Sequence, residues 1–144
     1  MKARAIVGSI ATFASLLLLL TLSPVSAAER VALLAGPDMR GAQGEAVISD
    51  VGSGNKEVKI TAQGLKPNEV YTVWLVNMKP KMDMAGLGAG DYAFTSDAKG
   101  NGRYTATVSG ATLDGWQLIE VAHHPDRNPR NMDKMGIALK GELK

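Results

Sequence analysis

Cysteine is absent from the 144-residue sequence. Without a thiolate the chain can form no disulfide and no type 1 copper centre, and thiolate catalysis and a lipid-modified cysteine anchor are excluded as well. Histidine is scarce, with two residues, whereas methionine contributes seven. Methionine and histidine are therefore the only soft or borderline metal ligands that the chain offers.

The N-terminus has the pattern of an export signal. Lys2 and Arg4 precede an apolar run over residues 5–22, and small residues follow at 25–27. We therefore expect residues 1–27 to be a signal peptide and the mature protein to be periplasmic or secreted. Cleavage would leave 117 of the 144 residues, which suits one domain. The alternative is an uncleaved N-terminal anchor, because the apolar run is close to the shortest length that spans a bilayer.

The predicted mature chain has no excess of positive charge. The whole sequence carries a formal charge of +2, but removing Lys2 and Arg4 from its 16 basic residues leaves 14, equal to the 14 acidic residues. Binding to nucleic acid or to an anionic membrane surface requires clustered lysine and arginine. We therefore expect no nucleic-acid partner, and no membrane association after signal cleavage.

Long helical patterns are also missing from the mature chain, and strand patterns take their place. Val58, Ile60 and Ala62 alternate with polar residues, and residues 103–109 alternate in the same way. The segment 70–76 is apolar at both parities, which is typical of a central strand covered on both faces.

These short strands, separated by glycine- and proline-containing turns, predict an all-β fold. We expect a single immunoglobulin-like antiparallel β-sandwich of about seven to eight strands over residues 45–144, with a barrel as the second possibility. Residues 28–44 are interpreted as an N-terminal arm or lead-in strand.

Two connections, 77–91 and 123–135, are too long to be simple turns and contain most of the unusual chemistry. Five of the six methionines of the mature chain lie in them, and both histidines open the second. If the loops meet at one end of the sandwich, thioethers and imidazoles converge on a site suited to copper. The proposed metal ligands are Met82, Met84, His123, Met132 and Met135, with Met78 in reserve.

The adjacent histidines are expected to point to opposite faces, because successive side chains of a strand alternate. His123 is therefore the single proposed imidazole ligand, and His124 is expected to be hydrogen-bonded structurally. The Met-x-Met sequence at Met82 and Met84 resembles the methionine motifs of periplasmic copper-handling proteins over about seven residues.

Two other functions compete with an exported copper-binding protein. Methionines also pack adaptably between loop and sheet and form adaptable interfaces. Loops 77–91 and 123–135 are therefore equally suited to a protein-interaction or sensory module that binds no metal. A copper-dependent redox protein is the second alternative. No catalytic residue is proposed, because no Gly-x-Ser-x-Gly elbow occurs. A calcium site is not proposed either, because the Asx residues after Pro125 lack EF-hand spacing.

Residues 64–76, with the sequence GLKPNEVYTVWLV, support a resemblance to a known family. They resemble the extracytoplasmic β-sandwich of anti-sigma-K factors, in which a Gly-Leu-x-Pro turn enters a strand ending in Tyr-x-x-Trp-Leu-Val. The likeness extends over residues 45–144 and implies the same sandwich fold. That family typically carries a sigma-binding region and a transmembrane helix before the sandwich, and neither is expected here, so sigma binding is not implied.

Overall fold

The computed structural model of the protein describes residues 26–144, so the predicted signal peptide over residues 1–27 lies almost wholly outside it. In the described part, no helix has the length and apolar character needed to cross a membrane. Nine strands and one short helix follow in chain order: β1 (Glu29–Ala35), β2 (Gln43–Gly52), β3 (Asn55–Gln63), β4 (Val70–Asn77), β5 (Asp83–Gly86), β6 (Ala93–Thr95), β7 (Gly102–Ser109), α1 (Gly110–Asp114), β8 (Leu118–His124) and β9 (Gly136–Glu142).

The strands form one antiparallel sheet with the order β5-β4-β8-β9-β1-β2-β3-β7, and β6 pairs with β4. The sheet curls until its two lateral edges approach each other. There the ring centroids of Phe94 and Tyr104 are 6.3 Å apart, and the Tyr104 hydroxyl donates a hydrogen bond to the Leu87 carbonyl. Curling covers strand edges that would otherwise expose unpaired backbone groups. The prediction of an all-β, sandwich-like domain is confirmed.

The inner face of the curled sheet contains the hydrophobic core. Val58, Ile60 and Ala62 are buried there, as their alternation predicts. The inner face of β4 adds Tyr71, and Val73 pairs with Val121 of β8. Alternation in the sequence therefore identifies the inward-facing residues of β3, whereas β4, which is apolar at both parities, shows no such alternation.

The outer face of β4 and β8 is also covered, which confirms the prediction for segment 70–76. Thr72, Val76, Ala122 and His124 are all buried, although none belongs to the inner core cluster. Part of the cover comes from Tyr92, whose ring packs edge-on against Trp74 with centroids 5.5 Å apart. We call this surface the outer face.

Two elements differ from the sequence-based expectation, whereas the lead-in segment contains a strand as expected. The short strand β5 lies inside the predicted loop 77–91, where its sequence Asp-Met-Ala-Gly shows no strand pattern. The one-turn helix α1 begins at the N-cap residue Ser109, whose side chain accepts a hydrogen bond from the Thr112 amide. The lead-in segment contains β1, which lies between β9 and β2 within the sheet.

Candidate functional site

The hairpin formed by β4 and β5 brings three methionines to one end of the sheet. Asn77 pairs with Asp83, and Val76 pairs with Met84. The next positions beyond the Asn77–Asp83 pair belong to Met78 and Met82. Met84 lies beside Val76 on one face of the hairpin, whereas Met78 and Met82 lie just outside the paired strands. We call residues 76–84 the methionine hairpin.

Exposure distinguishes these methionines from one that packs in the core. Met78 is 53% exposed and Met82 is 65% exposed, whereas Met39 in the core is 5% exposed. Met84 is half-buried. Packing between loop and sheet accounts for Met39 but leaves the exposed thioethers of the hairpin unexplained.

Gln117, which immediately precedes β8, fixes the backbone of the methionine hairpin. Its Oε1 accepts hydrogen bonds from the Met78 amide at 2.8 Å and the Lys79 amide at 3.3 Å. Its Nε2 donates to the Lys79 carbonyl at 3.1 Å. Asn77 completes the contact, because its Oδ1 accepts from the Gln117 amide at 2.9 Å and its Nδ2 donates to the Gly115 carbonyl at 3.0 Å. The loop that contains Met78 is therefore held by side chains.

His124 is a structural residue on the outer face. Its Nδ1 lies 3.2 Å from the Asn131 carbonyl, which can only accept, so Nδ1 carries the proton. Its Nε2 lies 2.7 Å from Thr72 Oγ1, and that hydroxyl consequently donates to it. The same oxygen accepts a 2.7 Å hydrogen bond from Trp74 Nε1. Both ring nitrogens of His124 are thus occupied, as expected for the histidine not proposed as a ligand.

His123 points to the inner face, so the two histidines lie on opposite faces as predicted. Its ring is 5.1 Å from that of Tyr71, measured between centroids, and the residue is 4% exposed. Among residues 26–144, Nε2 of His123 has no hydrogen-bond partner. Burial lowers the pKa of His123, and the positive charge of Lys66 lowers it further. His123 is therefore held as neutral imidazole.

The register of β4 separates the two predicted groups of ligands. Met84 pairs with Val76, whereas His123 pairs with Tyr71. These positions on β4 are five residues apart, or about 16 Å at 3.3 Å per residue, which is more than two side chains can span to share an ion. Met82 and Met84 therefore do not lie near His123.

Met132 and Met135 belong to the histidine end of the sheet. Met132 follows Asn131, whose carbonyl contacts His124. Met135 precedes Gly136, which pairs with His123. The structure thus places Met82, Met84 and the reserve residue Met78 on one hairpin, and it places His123, Met132 and Met135 at the opposite end of β4. The physical reason is that antiparallel strands β4 and β8 run in opposite directions. The loops that follow them therefore leave at opposite ends of the sheet.

Two features of this region escape sequence analysis. Gln117 is forty residues from Asn77 in sequence, and no local pattern indicates their contact. Tyr92 has a left-handed backbone with φ of 57°, and a Cβ on Gly86 would lie 2.1 Å from its ring. A glycine at 86 thus makes room for Tyr92. The sequence shows the glycine but not the Tyr92 ring that packs against it.

Residues 26–144 contain no group of three or more histidine, cysteine, aspartate or glutamate side chains placed so that they could hold a metal ion. No protein-family model matches the chain, and no curated protein matches it at a significant level.

Proposed function

We propose that this protein is an exported Cu(I)-binding protein whose ligands are the thioethers of Met78, Met82 and Met84. The observation that carries the proposal is the Asn77–Asp83 register, with Met78 and Met82 flanking it and each more than half exposed. Export rests on the predicted signal peptide over residues 1–27.

Ligand chemistry favours Cu(I) over other ions. Thioether sulfur is a soft, neutral donor that suits Cu(I), whereas Zn(II) and Cu(II) favour imidazole, carboxylate or thiolate. The contacts of Gln117 support binding, because a loop that is already held loses less conformational freedom when its side chains close on an ion. An exposed site of this kind suits reversible binding more than buried catalysis.

This proposal changes the ligand set expected from sequence. The proposed ligand set keeps Met82 and Met84 and adds Met78. It no longer contains His123, Met132 and Met135. The change follows from their separation along β4.

Anaerobic titration of the purified protein with Cu(I), against a chromophoric Cu(I) chelator, tests the proposal. We expect one ion per chain with a dissociation constant below about 1 μM, or roughly 8 kcal/mol of binding free energy. Replacing Met78, Met82 and Met84 together by leucine should weaken binding by about a hundredfold or more, equivalent to roughly 3 kcal/mol.

The matched control is the double variant Met132→Leu/Met135→Leu, which should bind Cu(I) like the wild type. Leucine keeps the apolar volume, so the melting temperature of both variants should stay close to that of the wild type. Unchanged affinity in the triple variant, or an equal loss in the control, would overturn the proposed ligand set.

A protein-interaction module is the second candidate, because exposed methionines also form adaptable interfaces. On this hypothesis the same Met78 and Met82 surface docks a partner protein. It predicts no Cu(I) binding tighter than about 1 μM in the titration, together with a partner that the triple leucine variant binds less well or not at all.

A further inference from the structure

The methionines of residues 26–144 differ widely in their exposure to solvent. Met82 and Met78 are 65% and 53% exposed, Met132 is 37% exposed and Met39 is 5% exposed. The Met39 sulfur also accepts a 3.4 Å hydrogen bond from the Tyr71 hydroxyl, which is shared with the Lys66 carbonyl at 3.3 Å. Burial raises the pKa of Tyr71 to about 12, so this hydroxyl stays protonated as a donor.

We propose that Met78 and Met82 are oxidation sites, and that their conversion to methionine sulfoxide by hydrogen peroxide or hypochlorous acid, in the ion-free form that exchanges with the loaded one, prevents rebinding and so releases the ion. The release step rests on the proposed Cu(I) function, whereas the selectivity of oxidation rests on exposure alone.

The reaction with peroxide is a two-electron transfer of oxygen. A lone pair of the thioether attacks one peroxide oxygen, an S–O bond forms, and the O–O bond breaks. Sulfur is oxidised to the sulfoxide, and the peroxide is reduced to water after proton transfer to the departing oxygen. With hypochlorous acid, sulfur bonds to chlorine as hydroxide leaves, and water then displaces chloride, so the net products are sulfoxide, chloride and a proton. Access of the oxidant to sulfur controls the rate, because no activating proton loss is needed, unlike the case of cysteine.

Oxidation removes the property on which Cu(I) binding depends. A sulfoxide is polar and no longer offers a soft thioether donor. The fold should survive, because the contacts of Gln117 reach the backbone of Met78 and Lys79 and make no use of the thioether. The modification would therefore act on metal binding while leaving the protein folded.

Peptide mapping by mass spectrometry after brief treatment of the whole protein with peroxide or hypochlorous acid tests the selectivity. We expect Met82 and Met78 to oxidise first, at least about tenfold faster than Met39, with Met132 between them. Loading with Ag(I), a soft ion that does not cycle redox state, should protect Met78 and Met82 and leave the rate at Met132 unchanged. Equal rates at Met82 and Met39 would overturn the proposal.

Cu(I) titration of the oxidised protein tests the switch. Affinity should fall about tenfold or more and return after treatment with methionine sulfoxide reductase. The control is Met132→Leu, which should lose and regain affinity in the same way. If oxidised protein keeps its Cu(I) affinity while the triple leucine variant has lost it, the switch is wrong and the proposed function stands. If untreated protein binds no Cu(I), the proposed function fails, and the release step fails with it.

Discussion

At the scale of single residues, Met39 and Met82 differ in what surrounds the sulfur. Met39 is buried beside the Tyr71 hydroxyl, whereas Met82 lies mostly in solvent. The flexible, polarizable side chain of Met39 fills irregular space in the core, whereas the sulfur of Met82 offers a free lone pair. Composition alone counts the two residues as equal, so only the structure reveals which methionines are available as ligands.

Burial of His123 makes stability depend on pH. Its pKa lies below the ordinary value of 6.5 in the folded chain, so the unfolded chain takes up this proton at a higher pH. Between 6.5 and the lower folded value the unfolded state binds more protons, and the free energy of unfolding therefore falls as pH falls. Urea unfolding from pH 7.5 to 5.5 should show this loss, by at most about 1.4 kcal/mol per pH unit. His123→Phe, which keeps a ring against Tyr71, should remove this part of the slope, and equal slopes would contradict the assignment.

The Thr72 hydroxyl connects the buried His124 with the half-buried Trp74 on the outer face. Thr72→Val should leave Trp74 Nε1 without its acceptor and His124 Nε2 without its donor. Unpaired buried polar groups cost about 1–3 kcal/mol, so we expect a loss of that size in the free energy of unfolding. Thr72→Ser, which keeps the hydroxyl, is the control. A loss in the serine variant as large as in the valine variant would show that the methyl group matters and the hydroxyl does not.

At the scale of elements, the methionine hairpin and the residues immediately before β8 form one unit through Asn77 and Gln117. The strands that flank this unit follow from the apolar pattern of 70–76 and 117–122. The short strand β5 does not, because only pairing with the edge of β4 makes Asp83–Gly86 extended. The loop predicted for 77–91 is therefore partly strand, and this pairing is what positions Met84.

Gln117→Ala should weaken Cu(I) binding without removing a ligand. Loss of the contacts to Met78 and Lys79 frees the loop, and ordering such a segment costs about 0.5–1.5 kcal/mol, or roughly a two- to tenfold loss of affinity. Amide hydrogen exchange at Met78 and Lys79 should become faster. The exposed Gln63→Ala on β3 serves as the matched control and should change neither quantity. Wild-type exchange in the Gln117 variant would show that the loop is held by other contacts.

At the scale of the whole molecule, the curled sheet sets where each loop leaves it. Alternation predicts the inner residues of β3 well, including Val58 and Ile60. It does not predict which end of the sheet a loop occupies, because that depends on the pairing of β4 with β8, which are far apart in sequence. For this reason the single Met/His cluster divides into two groups in the structure.

The contact that joins the two lateral edges of the sheet is also testable. Tyr104→Phe removes the hydrogen bond to the Leu87 carbonyl and should lower the free energy of unfolding by about 1 kcal/mol. Hydrogen exchange near β6 should become faster in this variant. Tyr92→Phe is the control, because the Tyr92 hydroxyl makes no hydrogen bond within residues 26–144. Equal stability of the Tyr104 variant and the wild type would mean that this contact does not stabilise the closure.

X-ray absorption at the copper edge, on protein loaded with one equivalent of Cu(I), is the most direct test of the metal site. Coordination by Met78, Met82 and Met84 predicts a first shell of sulfur alone, which disappears when the three residues are leucine. Nitrogen from an imidazole in that shell, or a sulfur shell that persists in the triple variant, would contradict binding at the methionine hairpin.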